Sequence, residues 1–176
     1  MMTLVIGGAG SGKSEYAEQL LVRQSGDAPR YYIATMEPFD DEGRVRVEKH
    51  RAARAGRNFT TVERYTDLAS LTLPCGSAVL LECMGNLCAN ELFSPKGSGD
   101  GAEQAILRGI EHLRKQSSAL VIVSNEVLSG GTDYLGETER YLRLLGKVNC
   151  ALAAAADNVC EVVCGVPVYY KGGETE

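Results

Sequence analysis

The apolar positions of this chain fall in short unbroken runs separated by amphipathic stretches, and that alternation sets the first expectations. Met1-Met2-Thr3-Leu4-Val5-Ile6 reads as a buried strand. Glu15 to Gln24 follows with Tyr16, Leu20 and Leu21 on one face, the spacing of a helix packed by one side. Arg30 to Thr35 reads as a second strand and Thr60 to Glu63 as a third, with a basic segment, helical to about Ala55, between them. Ser77-Ala78-Val79-Leu80-Leu81-Glu82 and Ala119-Leu120-Val121-Ile122-Val123-Ser124 have the continuous apolar character of central parallel strands covered on both faces. Ser94 to Gly101, rich in glycine and serine, reads as a flexible surface loop. Helices are expected at about Ala102 to Gln116 and Glu137 to Ala156. Val159 to Cys164 and Pro167 to Tyr170 read as a hairpin turned at Gly165. Strands alternating with helices imply an α/β fold with a mostly parallel sheet. A length of 176 residues suits a single domain over 1–176.

Composition narrows the function. A hydrophobic content of 44% supports a real core, and a net charge of −5 argues against a general nucleic-acid binder. No apolar run reaches membrane-spanning length and glycines interrupt the apolar start, so a cytoplasmic protein is expected. The six cysteines form no C-x-x-C pair, which points to buried small hydrophobes rather than a zinc or dithiol site. Charge is unevenly spread: Arg44, Arg46, Lys49, Arg51, Arg54 and Arg57 stand against Glu48 alone. Such a cluster reads either as a polyphosphate clamp or as a solvated helix face.

The chemistry begins where the first strand ends. Gly7-Gly8-Ala9-Gly10-Ser11-Gly12-Lys13-Ser14 fits G-x-x-x-x-G-K-[ST] at every fixed position. The glycines allow backbone N–H groups to converge on phosphate oxygens at a helix N-terminus. Lys13 adds a charge near the β- and γ-phosphates, and the Ser14 hydroxyl is placed to ligate Mg²⁺. The chain is therefore expected to bind a nucleoside triphosphate. Ligands of such sheets gather at the carboxyl ends of the strands, where Thr35, Glu82-Cys83 and Asn125-Glu126 fall. Glu82 is read as a second Mg²⁺ anchor or water-positioning group, with a structural cap as the alternative. Glu126 shares that geometry with less support. His112 is read as an uninvolved exposed residue. His50 lies among cations that favour its neutral, nucleophilic form, able to attack phosphorus; a solvated helix histidine is the competing reading.

The ordered set of segments resembles one enzyme family along nearly the whole chain. After the loop come Tyr32-Ile33-Ala34-Thr35, Lys49-His50-Arg51, Thr61-Val62-Glu63 and Leu80-Leu81-Glu82-Cys83 with Asn90-Glu91-Leu92-Phe93. Val123-Ser124-Asn125-Glu126-Val127, Gly146-Lys147-Val148-Asn149 and Cys164-Gly165-Val166-Pro167 complete it. Together they resemble the bifunctional adenosylcobinamide kinase/adenosylcobinamide-phosphate guanylyltransferases. The resemblance implies a RecA-like P-loop fold, a homotrimer, a corrinoid substrate, and two reactions of cobalamin assembly. ATP or GTP phosphorylates the aminopropanol hydroxyl of adenosylcobinamide, and GTP then donates GMP to that phosphate. It implies His50 as the residue that carries GMP covalently, and Arg51, Ala52, Ala53, Arg54, Ala34, Thr35, Met36, Glu63 and Glu82 as nucleotide contacts. Three departures stand out. Gly10 replaces a basic loop residue, Phe59 replaces a tryptophan, and Leu128-Ser129-Gly130-Gly131-Thr132-Asp133-Tyr134 replaces a Gly-x-Gly-Ile-Val-Pro segment. A kinase or nucleotidyltransferase retaining one half-reaction, and a nucleotide-binding regulator without turnover, remain open alternatives.

Overall fold

A computed structural model describes residues 1–38, 56–127 and 135–173. Seven strands form one sheet in the order β3-β2-β4-β5-β1-β6-β7. They are β1 (Met2–Gly7), β2 (Arg30–Ala34), β3 (Phe59–Glu63), β4 (Ser77–Glu82), β5 (Ser117–Asn125), β6 (Asn158–Val163) and β7 (Val166–Lys171). All neighbours pair in parallel except β6 and β7, which form an antiparallel hairpin.

Helices cover both faces, which is why the inner strands are apolar throughout. On one face α1 (Lys13–Ser25) packs Tyr16, Ala17, Leu20 and Leu21 against Val5, Leu80 and Val121. On the other, α2 (Met84–Phe93), α3 (Ala102–Gln116) and α4 (Glu137–Ala155) bury Leu87, Ile106, Leu113 and Leu145 against Leu4, Ile33, Leu81 and Ile122. Each such side chain contributes about 1.5–3 kcal/mol of transfer free energy. Because β1 to β6 all run the same way, Gly7, Ala34, Glu63, Glu82 and Asn125 arrive at one edge. Gly7 is opposite Asn125, and Ala34 is opposite both Glu63 and Glu82.

One helix went unread and three expectations are corrected. Helix α2 is buried on nearly every side, through Met84, Gly85, Leu87, Cys88, Asn90 and Glu91, so it lacks the polar stripe that announces a helix. Ser94–Gly101 is pinned rather than loose. Ser98 N–H donates to Glu91 Oε2 at 3.0 Å, and a Cβ on Gly97 would lie 2.4 Å from the Asn90 carbonyl oxygen. His112 is half-buried, with a ring nitrogen 3.0 Å from the Leu71 carbonyl oxygen, so it ties α3 to the preceding loop. Of the cysteines, Cys88 and Cys160 are buried, but Cys75, Cys150 and Cys164 are exposed.

Candidate nucleotide site

The turn from β1 into α1 builds the loop. Gly10 and Gly12 hold φ angles of +71° and +88°, where a side chain is strained, and Ser11 N–H closes a turn onto Gly8 O at 3.2 Å. No side chain caps α1, so its first-turn N–H groups face outward at a helix N-terminus, the arrangement that attracts phosphate. Lys13 is buried, and its ammonium donates to Gly8 O at 2.9 Å.

The loop is braced from a direction the sequence did not reveal. Gly165, at the tip of the β6–β7 hairpin, donates its N–H to Ser11 O at 2.8 Å. A Cβ on Gly12 would meet Gly165 Cα at 3.1 Å, and one on Gly7 would sit 2.8 Å from Val162 O. The glycines thus serve close packing as well as backbone freedom.

Strand β4 brings Glu82 to the loop. Its Oε1 accepts a short hydrogen bond from the Ser14 hydroxyl, and its Oε2 accepts one from the Tyr32 hydroxyl at 3.1 Å. A serine oxygen beside a carboxylate is a pair of hard oxygen donors, the chemistry Mg²⁺ requires when phosphates and water complete its shell. The Glu82–Cys83 peptide is cis.

Thr35, fully buried, joins β2 to this corner. Its N–H donates to Glu82 O at 3.0 Å, while its hydroxyl donates to Cys83 O and accepts from Cys83 N–H, both at 2.8 Å. Asn90 of α2 then donates to Thr35 O at 2.8 Å and to Tyr65 O at 3.1 Å. Beyond lies a cavity of about 380 Å³ lined by Glu37, Glu63, Arg64, Tyr65 and Lys96 among others. There Glu63, exposed, accepts a hydrogen bond from the Tyr65 hydroxyl at 2.9 Å. Ala34 and Met36 flank Thr35 and are half-buried.

A second cluster is apolar and protonated. Burial pushes the Cys83 thiol up, and it pushes the Cys88 thiol and the Tyr141 hydroxyl up to about 12 each. Cys83 therefore offers no thiolate nucleophile beside Glu82 near neutral pH. Gly85 lets Asn125 and Tyr141 approach this cluster, since a Cβ there would lie 2.9 Å from Asn125 Nδ2.

The structure thus brings together Gly7, Gly8, Ala9, Gly10, Ser11, Gly12, Lys13, Ser14 and Glu82, with Ala34, Thr35, Met36 and Glu63 along the neighbouring strand ends. His50, Arg51, Ala52, Ala53 and Arg54 lie outside the described residues, as does the divergent 128–134 segment. Arg57, the described member of the basic cluster, is held by α1: it pairs with Glu18 at 2.5 Å and approaches Glu15 at 3.7 Å. Tyr32, Asn90 and Gly165 were missed as supporting residues. All three stood inside matched segments without a role at the loop, and a polar Asn90 in an apolar stretch was the available signal.

One strand, β5, separates the loop strand from the strand that carries Glu82, yet Glu82 still reaches Ser14. This is a RecA-like P-loop nucleoside-triphosphate-binding fold. Among solved structures the chain resembles an ATPase domain, with a TM-score of 0.53 at 9% identity, covering 91% of this chain and 68% of that one. Sequence comparison carries the assignment further. A family model described as cobinamide kinase / cobinamide phosphate guanyltransferase matches residues 3–170, and the chain belongs to that family. It is 38% identical to the bifunctional adenosylcobalamin biosynthesis protein CobU of Escherichia coli, over 97% of this chain and all of that protein. It is 37% identical to CobU of Salmonella typhimurium with the same coverage, and 34% identical to CobP of Pseudomonas aeruginosa over 98% of each chain.

Proposed function

We propose that this protein phosphorylates adenosylcobinamide with a nucleoside triphosphate and then transfers GMP from GTP to the resulting phosphate, releasing pyrophosphate. The observation that carries the reading is the contact between Ser14 of the loop and Glu82 of β4, which supports a pair of hard oxygen donors beside the phosphate-binding loop. Loop amides and Lys13 bind and neutralise the polyphosphate, and Ser14 and Glu82 hold Mg²⁺. Held by these two oxygens, the ion would supply neutralisation of the polyphosphate charge. Positioning and charge neutralisation then lower the barrier to phosphoryl transfer.

For the second reaction the reading assigns His50 as nucleophile. Its imidazole attacks the α-phosphorus of GTP, the bond to the bridging oxygen breaks, and pyrophosphate leaves; the corrinoid phosphate oxygen then takes GMP and frees the histidine. Arg51 to Arg54, Ala34 to Met36, Glu63 and Glu82 contact the nucleotide in this reading. Thr35 shapes the strand end through its backbone, its hydroxyl being engaged by Cys83. The working form in this reading is a cytoplasmic homotrimer. Among the described residues no helix is long and apolar enough to cross a membrane.

The test is incubation with Mg²⁺ and GTP labelled at the α-phosphorus, followed by denaturation, with His50→Ala beside it. Acid-labile, alkali-stable label on the wild-type chain that is missing from the variant is the expected result. A variant that binds GTP and retains phosphorylation of adenosylcobinamide completes it. Absence of label on a wild-type protein that still binds GTP would leave a kinase alone.

A further inference from the structure

We propose that Tyr32 is a positioning residue for the metal-holding carboxylate: its hydroxyl fixes Glu82 Oε2 so that Oε1 stays aimed at the Ser14 oxygen and the cation they share. This rests on the reading above that Ser14 and Glu82 hold Mg²⁺.

Glu82 closes β4 with two carboxylate oxygens and two hydroxyl donors. Ser14 takes Oε1 and Tyr32 takes Oε2, at 3.1 Å. These donors differ in what binding asks of them. Ser14 lies in the loop, and its oxygen is needed by the cation, so its proton must turn away from Glu82 when the metal arrives. Tyr32 lies in the core at 4% exposure, on strand β2, which pairs directly with β4. Its ring packs edge-on against Phe59 of β3, centroids 6.4 Å apart at 82°, so the hydroxyl is held by two strands. Once Ser14 has turned, the tether from Tyr32 still restrains a carboxylate that would otherwise rotate about its terminal torsion, which is broad and soft. Outer hydrogen bonds of this kind orient metal-ligating carboxylates, and their loss commonly costs about 10- to 100-fold in metal affinity or activity.

The experiment measures GTP affinity by calorimetry in Mg²⁺ and in EDTA for wild type, Tyr32→Phe, Glu82→Gln and the double variant. Tyr32→Phe keeps the ring and its packing on Phe59 and removes the hydroxyl alone. Its affinity in EDTA should match wild type, while the gain on adding Mg²⁺ shrinks about tenfold. The kcat of the kinase step should fall by a similar factor with little change in KM for the nucleotide. Glu82→Gln should lose the Mg²⁺ gain outright, and adding Tyr32→Phe to it should change nothing further. A full wild-type Mg²⁺ gain in Tyr32→Phe, or an equal loss in Mg²⁺ and in EDTA, overturns the role of Tyr32. A full gain in Glu82→Gln instead overturns the metal reading on which it rests.

Discussion

Lys13 shows how closely single residues are specified at this site. Its ammonium is buried and donates to the Gly8 carbonyl 2.9 Å away, so the charge is preplaced inside the loop it serves. Lys13→Ala should lower both phosphorylation of adenosylcobinamide and GMP transfer by about a thousandfold, since both need the polyphosphate charge offset. Assaying the two products separately on the folded variant checks this, and activity retained in either would show that the steps do not share the loop. Lys13→Arg should not restore activity, because a planar guanidinium does not fit a point-charge site. The loop residues were legible in the sequence because their geometry is local, each glycine and the Lys-Ser pair serving the same turn. Tyr32 and Asn90 were not, because what they hold lies on other strands: Tyr32 meets Glu82, and Asn90 meets Thr35 and Tyr65.

At the scale of elements, α2 organises the far side of the site. Asn90 and Glu91 sit side by side, almost wholly buried in a mostly apolar helix. Glu91 accepts N–H groups from Asp67 at 2.7 Å and Ser98 at 3.0 Å, so one carboxylate clasps the segments before and after the helix. Glu91→Ala should destabilise the protein by about 2–4 kcal/mol by leaving two inward N–H groups without an acceptor. Denaturant midpoints of the variant and wild type check it, and a change under about half a kcal/mol would mean water replaces the carboxylate. Strands β1, β4 and β5 were legible as apolar runs, α1 and α3 from periodicity, and the hairpin from its central glycine. Helix α2 was not, because burial on nearly all sides erases the polar stripe that the periodicity argument reads. The Ser94–Gly101 loop was misread for a related reason: its glycines permit tight packing on α2, which composition cannot distinguish from looseness.

Across the molecule, one cluster of weak acids, Cys83, Cys88 and Tyr141, is held protonated by burial. Cys88 is pushed up to about 12, chiefly by burial and then by the charges of Cys83 and Glu91, while an unfolded thiol ionises near 9. Above pH 9 the unfolded chain releases a proton that the native state keeps, so this contribution to stability is intact at neutral pH and falls as pH rises from about 9 towards about 12. Cys83 and Tyr141 act in the same direction. The urea midpoint should therefore be lower at about pH 10 than at about pH 8, with Cys88 contributing on the order of 1 kcal/mol. Cys88→Ala should show a smaller drop between those two pH values, and an identical drop would assign the effect elsewhere. The hairpin carries a consequence for how the protein is made. Ser11 leaves the ribosome well before Gly165, whose N–H braces its carbonyl. At usual synthesis rates on the order of ten seconds separate the two, so the loop stays unbraced on the nascent chain until β6 and β7 have emerged.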